Sequence, residues 1–93
     1  SDAFTYKKDG SVKSIIGIME HEGIRIVWGI FSDDCGKYIN SIRKKLNIFL
    51  GIFPKGKLYM FANNNRFANI FGFDVIESVN FDGQNLYRCV RTI

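Results

Sequence analysis

The sequence predicts an α/β (α+β) fold in which helices flank one mixed β-sheet, with the element order β-β-β-α-β-α-β-β. Three observations lead to this prediction: Asp-Gly turn signals between apolar runs, an amphipathic segment near the middle of the chain, and a short apolar run after it. The 93 residues are enough for one hydrophobic core, so we expect a single domain over residues 1–93.

Two turns divide the first third of the chain into three predicted strands. Asp9-Gly10 separates Phe4–Lys8 from Val12–Met19, and Glu20–Gly23 leads to a third strand at Ile24–Phe31. The second strand contains the apolar run SIIGIM, so we expect both of its faces to be covered. The first strand is an expected sheet edge that can pair with another chain and form a homodimer.

A long helix is predicted after the third strand, from Ser32 to Leu50. Apolar residues recur there at spacings of three and four, opposite polar and basic residues. Ser32, Asp33 and Asp34 are favourable N-cap residues, and we expect them to cap the helix. The sequence GIFP at 51–54 contains the glycine and proline that end it.

The rest of the chain predicts a strand, a short helix and a hairpin. Lys57–Ala62 is the strand, Asn63–Gly72 has room for two helical turns, and two alternating segments flank Asp82–Gln84. Strand–helix–strand connections favour parallel pairing, so we expect parallel strands at the centre of the sheet and antiparallel strands at the hairpins.

The composition narrows the classes of partner and compartment. The net charge of +4 favours anionic partners, although the interleaved acidic residues are unlike a nucleic-acid-binding arm. Cys35 and Cys89 are far apart and the chain has one histidine, so we expect free thiols, a cytoplasmic location and no metal site. No apolar run approaches the roughly 20 residues of a membrane span.

The element order, together with NNNRFANIFGF before the closing FDGQ, resembles the GNAT acetyltransferase superfamily. In that family a turn and a long helix hold the pyrophosphate of acetyl-coenzyme A. The resemblance equates Ser32–Gly36 with this turn, Asn63–Phe71 with a short helix, and Gly72-Phe73 with a Gly-Phe pair before the last two strands. It begins at the family's second strand, so we expect a truncated version without the N-terminal helices. The end of the chain is also similar to small GNAT-like proteins of phages, including internal virion proteins.

The resemblance implies a cofactor site at two turns. Its candidate residues are Ser32, Cys35, Gly36, Lys37, Asn63, Asn65 and Arg66. Of the family's phosphate-binding glycines only Gly36 is present, and Tyr38 stands where a small residue is expected. Asp33 and Asp34 add negative charge, and two like charges about 4 Å apart cost roughly 1–4 kcal/mol in watery surroundings. We favour a turn that caps the helix over one that binds phosphate, and likewise a cap over a ligand contact for Asn63–Arg66.

No residue is assigned a catalytic role. The tyrosine that the family often uses as a general acid corresponds to Ala68 here. His21 is a candidate general base near the central strands, although a solvated turn is the favoured interpretation. Cys35 is a candidate nucleophile that the neighbouring Asp33 and Asp34 oppose.

Three function hypotheses follow. The favoured one is a phage-type, catalytically degenerate GNAT-like protein without a cofactor, which binds a host or virion protein as a virion component or as an inhibitor of a host system. The alternative is an active acetyl-CoA-dependent N-acetyltransferase on a protein or small-molecule amine. A nucleic-acid-binding module ranks last. Arg43–Lys45 are interpreted as a solvated helix face, with an anion-docking patch as the other interpretation.

Overall fold

One mixed six-stranded sheet runs through residues 2–93, the part of the chain that the computed structural model describes. The strands are β1 (Asp2–Lys8), β2 (Ser11–His21), β3 (Ile24–Phe31), β4 (Lys57–Ala62), β5 (Asp74–Phe81) and β6 (Gln84–Thr92); the α-helices are α1 (Ile39–Leu50) and α2 (Asn65–Ile70). The strand order is β1-β2-β3-β4-β6-β5. The predicted fold class and element order are confirmed, and the predicted domain includes Ser1, which lies outside the described residues.

Three two-residue turns connect the hairpins, each with positive φ at both positions. They are Asp9-Gly10 (54° and 79°), Glu22-Gly23 (52° and 81°) and Asp82-Gly83 (51° and 80°). This geometry is the one whose twist matches paired antiparallel strands. Because β2 continues to His21, the second turn is shorter than the predicted Glu20–Gly23.

Both α-helices pack on the same face of the sheet. The Phe49 ring of α1 lies 4.9 Å from the Phe4 ring, and the Phe67 ring of α2 lies 4.7 Å from the Phe31 ring, measured between centroids. The strand registers put Phe4 and Phe31 on one face. The core lies between this face and the helices; its buried side chains include Ile16, Ile42, Leu46, Leu58, Phe73 and Cys89.

The opposite face of the sheet has no helix on it within residues 2–93. We call this surface, which carries Met19, Ile24, Trp28, Ile30 and Phe61, the open face. Its members Ile30 and Phe61 are 64% and 50% exposed. The expectations that both faces of β2 are covered and that helices flank both faces are therefore wrong. An apolar run predicts that a strand is hydrophobic on both sides, but it does not show what packs there.

The centre of the sheet has the expected parallel pairing between β3 and β4, but this pairing is minimal. A single register pair, Ile26 and Tyr59, joins them, whereas β4 pairs with β6 over all six of its residues. Beyond that pair, the carboxyl ends of the two strands have no ladder contact.

Gly17 in β2 supports the Trp28 side chain across the strand pair. A Cβ at residue 17 would overlap the indole ring and lie 2.9 Å from the Asp2 carbonyl oxygen. We therefore expect Gly17→Ala to lower the free energy of unfolding by about 1–3 kcal/mol, the usual cost of overpacking. Urea denaturation measures the change, and Gly36→Ala is the control because a Cβ there meets nothing within 4 Å. Equal stability of both variants and the parent would contradict this packing.

Candidate functional site

The candidate site lies at the carboxyl ends of β3 and β4. Ser32–Lys37 follow β3, and Asn63–Arg66 follow β4. Because these strands are parallel, both turns lie at the same edge of the sheet, which is where open α/β sheets bind ligands. The structure therefore brings the two groups of predicted cofactor residues to one edge.

The turn after β3 does not cap the long helix with a side chain. A 3₁₀ turn at Cys35–Tyr38 precedes α1, and neither Asp34 nor Tyr38, the residues flanking these helical segments, makes a side-chain cap hydrogen bond. Asp34 instead accepts hydrogen bonds from Lys13 Nζ at 2.7 Å and from Ser32 Oγ at 2.8 Å. The expected cap is wrong, because a charge-assisted bond to an ammonium competes successfully for this carboxylate.

Lys13, a residue that the sequence did not single out, reaches the turn through an irregularity in β2. Tyr6 pairs with Ser14 and Lys7 pairs with Val12, so Lys13 has no partner in β1. A bulge of this kind redirects a side chain out of the regular alternation. The Lys13 ammonium also lies 5.3 Å from the centroid of the Tyr38 ring.

The ion pair between Lys13 and Asp34 sets the electrostatics of the turn. The hydrogen bond from Lys13, together with that from Ser32, lowers the pKa of Asp34, and the same contact raises the pKa of Lys13. The Lys13 side chain is only 14% exposed, whereas that of Asp34 is 40% exposed. The charge of Asp34 is therefore compensated within the protein, and Asp33 remains as an exposed carboxylate.

The other residues of this turn differ in their chemistry. Cys35 is half-buried, and burial, followed by the charges of Asp34 and Asp33, raises the pKa of its thiol. A raised pKa keeps the thiol protonated at neutral pH, which argues against the nucleophile hypothesis. Gly36 and Lys37 are exposed, and the space next to the Gly36 Cα is open.

The turn after β4 begins the short helix. The Oδ1 atom of Asn64 accepts hydrogen bonds from the backbone N–H groups of Arg66 at 2.9 Å and Phe67 at 3.4 Å. This confirms the cap interpretation and assigns the cap to Asn64. The candidates Asn63, Asn65 and Arg66 are exposed around it.

Three phenylalanine rings fill the space between the two turns. The Phe31 ring lies 4.7 Å from that of Phe67 and 5.9 Å from that of Phe71, and these two are 4.9 Å apart. Phe31 folds back over Gly29, where a Cβ would lie 2.6 Å from its ring. The cavity left beside the rings has a volume of about 20 Å³. That volume is about the space of one water molecule, so the rings leave no ligand-sized cavity beside Phe31.

The catalytic candidates do not meet at this edge. Ala68 is fully buried, so its position presents no hydroxyl group to a ligand. His21 pairs with Ile24 at the amino end of β3, at the opposite end of this strand from the candidate site, and it is exposed, which agrees with the favoured interpretation of a solvated turn. Within residues 2–93 no three His, Cys, Asp or Glu side chains are grouped as metal ligands would be. None of the helices described is long and apolar enough to cross a membrane.

Comparison with known proteins shows similarity in structure only. Neither a family model nor a curated protein matches the sequence. A Bordetella pertussis protein assigned to the GnaT family of acetyltransferases superimposes with a TM-score of 0.66 at 13% identity, over 89% of this chain and 59% of that one. An acyl-CoA N-acyltransferase from Pseudomonas aeruginosa does so with a TM-score of 0.67 at 16% identity, over 94% of this chain and 65% of that one. The chain spans about three fifths of the length of these two proteins and has a GNAT-like fold.

Proposed function

We propose that this chain is a GNAT-like protein that does not transfer acetyl groups and acts by binding protein. The observation that carries the proposal is the contrast between two parts of the sheet. Aromatic rings occupy the candidate cleft at the carboxyl ends of β3 and β4, whereas no helix within residues 2–93 covers the apolar residues of the open face. A role as a virion component or as an inhibitor of a host system belongs to the proposal and rests on the similarity to phage proteins. A host or virion protein as partner is part of the same proposal, separately from the second copy of this chain that we place on the open face.

The filled cleft argues against a bound cofactor. Ligand pockets usually measure about 300–1,000 Å³, and the cavity beside Phe31 measures about 20 Å³. A cofactor that inserted between the carboxyl ends of β3 and β4 would have to displace Phe31 and Phe67 from their contact with each other and with Phe71. Binding would then lose the free energy that this aromatic packing contributes to the fold.

The turn after β3 argues in the same direction. Lys13 is a nearby cation, but it is largely buried and already bonds Asp34, so a phosphate would have to compete with an internal carboxylate. Asp33 remains exposed beside Lys37 and repels an anion. The electrostatic obstacle therefore comes from one free carboxylate, rather than from the two that the sequence suggested.

The open face is the surface that we assign to protein binding, and its occupant in the proposal is a second copy of this chain. The molecule measures 37 × 32 × 19 Å, so its broad sides are large enough for the about 800 Å² per partner of a standard interface. Arg88 on this face bonds Glu77 at 2.8 Å, so two copies can pack without burying this charge unpaired. At the predicted β1 edge, Lys7 and Lys8 discourage pairing instead.

Acetyl-CoA-dependent transfer to a protein or small-molecule amine is the second candidate. The observation in its favour is the open space at Gly36 beside the exposed Lys37, at the same sheet edge as Asn65 and Arg66. This function requires Phe31 and Phe67 to leave the cleft when the cofactor binds.

Thermal unfolding with coenzyme A separates these two functions. We expect no increase in the melting temperature of the chain at millimolar coenzyme A or acetyl-CoA, because the cleft is filled. A site with a Kd near 10 μM would stabilise the protein by about 2.7 kcal/mol at a hundredfold ligand excess. The P. aeruginosa acyltransferase is the positive control. A saturable increase that Lys37→Gln weakens would support the acetyltransferase instead.

The Lys13–Asp34 pair predicts a pH-dependent contribution to stability. Because the pair lowers the pKa of Asp34, its contribution is fully present above the unfolded value of about 3.9 and is lost as the pH falls through the folded value. We expect Asp34→Asn to be less stable than the parent at pH 7, and the difference to vanish in acid. Urea midpoints from pH 7 to about pH 2 measure this. Asp33→Asn is the control, and a constant difference for Asp34→Asn would contradict the pair.

Two matched variants test the open face. We expect the parent chain to be a dimer and Ile30→Lys/Phe61→Lys to be monomeric, because the charges would be buried between two copies. Ile48→Lys/Ile52→Lys adds the same charge at apolar residues that are 76% and 74% exposed elsewhere, and should remain dimeric. Sedimentation equilibrium gives the masses. A parent that is monomeric at about 100 μM, or equal effects of both variants, would overturn self-association through this face.

A further inference from the structure

A groove on the helical side of the sheet, between α1 and α2, is lined by cations and amides. Its volume is about 550 Å³, and none of the residues that line it is acidic. Arg43 and Lys44 come from α1, Arg91 comes from β6, and Asn47 and Asn69 come from the two helices. The open face lies on the other side of the sheet, so the two surfaces are separate.

Arg91 is held in place in this groove. One of its terminal nitrogens donates to the Phe71 carbonyl oxygen at 2.8 Å, and the other donates to Asn47 Oδ1 at 2.9 Å. Arginine has five N–H donors, so these two contacts leave others available to a ligand. Burial lowers the pKa of Arg91, but an arginine remains charged in a protein. The guanidinium is therefore a fixed, charged donor on the floor of the groove.

The basic residues of α1 serve different flanks of the helix. Lys45 turns towards β1, where its ammonium donates to the Thr5 carbonyl oxygen at 2.6 Å. Arg43 and Lys44 line the groove instead, and neither forms a salt bridge within residues 2–93. Arg43–Lys45 are all exposed, as the solvated-face interpretation expects, and two of the three cations line the same groove as Arg91 without a salt-bridge partner within residues 2–93.

We propose that this groove binds a small polyphosphate anion. Three neighbouring cations repel one another, so a multivalent anion between them removes an unfavourable interaction and forms favourable ones. Arginine presents paired N–H groups that match phosphate oxygens, and the two amides add neutral donors. The volume lies within the range of small-molecule sites. This site is independent of the turn at Gly36 and of the open face.

Tripolyphosphate is the probe, and isothermal titration calorimetry of the full chain at low ionic strength measures its binding. We expect saturable binding that Arg43→Gln/Lys44→Gln weakens by at least about tenfold, because charge-assisted bonds to phosphate are lost. Lys55→Gln/Lys57→Gln removes the same charge elsewhere and should change the affinity by less than about twofold. Arg91 is left intact because it connects α1 to Phe71.

Three results would overturn the proposal. Absence of binding at millimolar tripolyphosphate would exclude the site, and equal weakening by the two double variants would show attraction to net charge alone. Dependence on Lys37 with no dependence on Arg43 and Lys44 would place the anion at the turn after β3 instead. The thermal unfolding of each variant without ligand shows that it is folded, so that a loss of binding reports on the groove.

Discussion

The contact of Phe31 with Phe67 and Phe71 is the interaction on which the packing between the two halves of this sheet depends. The sheet consists of two antiparallel halves, β1–β3 and β4–β6–β5, which a single parallel register pair joins at Ile26 and Tyr59. The aromatic rings close the space beyond that pair, and Gly29 allows it because it has no side chain to hold the Phe31 ring away. The rings that pack between the two halves leave a cavity of only about 20 Å³ beside Phe31.

Local sequence signals were sufficient for the elements, but not for what packs around them. Asp-Gly turns and the spacing of apolar residues act within a few residues, and they correctly predicted the hairpins, the element order and the parallel pairing at the centre of the sheet. The capping role of Asp34 was wrong because its partner, Lys13, is 21 residues away and is turned by an irregular strand pairing. The filled cleft was equally hidden, since Phe31 and Phe67 belong to different elements and each resembles an ordinary core residue.

The positive net charge is not spread evenly over the surface. Two cations are neutralised by carboxylates, Lys13 by Asp34 and Arg88 by Glu77. Arg43, Lys44 and Arg91 come together from different parts of the chain in a groove without acidic lining. Composition alone favours an anionic partner, and the fold shows where the attraction is concentrated, because it is α1 crossing the sheet that brings its flank next to the end of β6.

The similarity to acyltransferases at 13% and 16% identity concerns the path of the backbone. Acetyl transfer depends instead on side chains: an unfilled cleft, a turn that accepts phosphate and a group that handles the proton. In this chain Phe31 contacts Phe67 and Phe71, Lys13 and Asp34 bond each other in the turn, and Ala68 is buried. None of these changes alters the strand order. A backbone can therefore superimpose on that of an acyltransferase along most of its length. The superposition does not compare the side chains, and it is the side chains that determine which surfaces can bind a ligand or a partner.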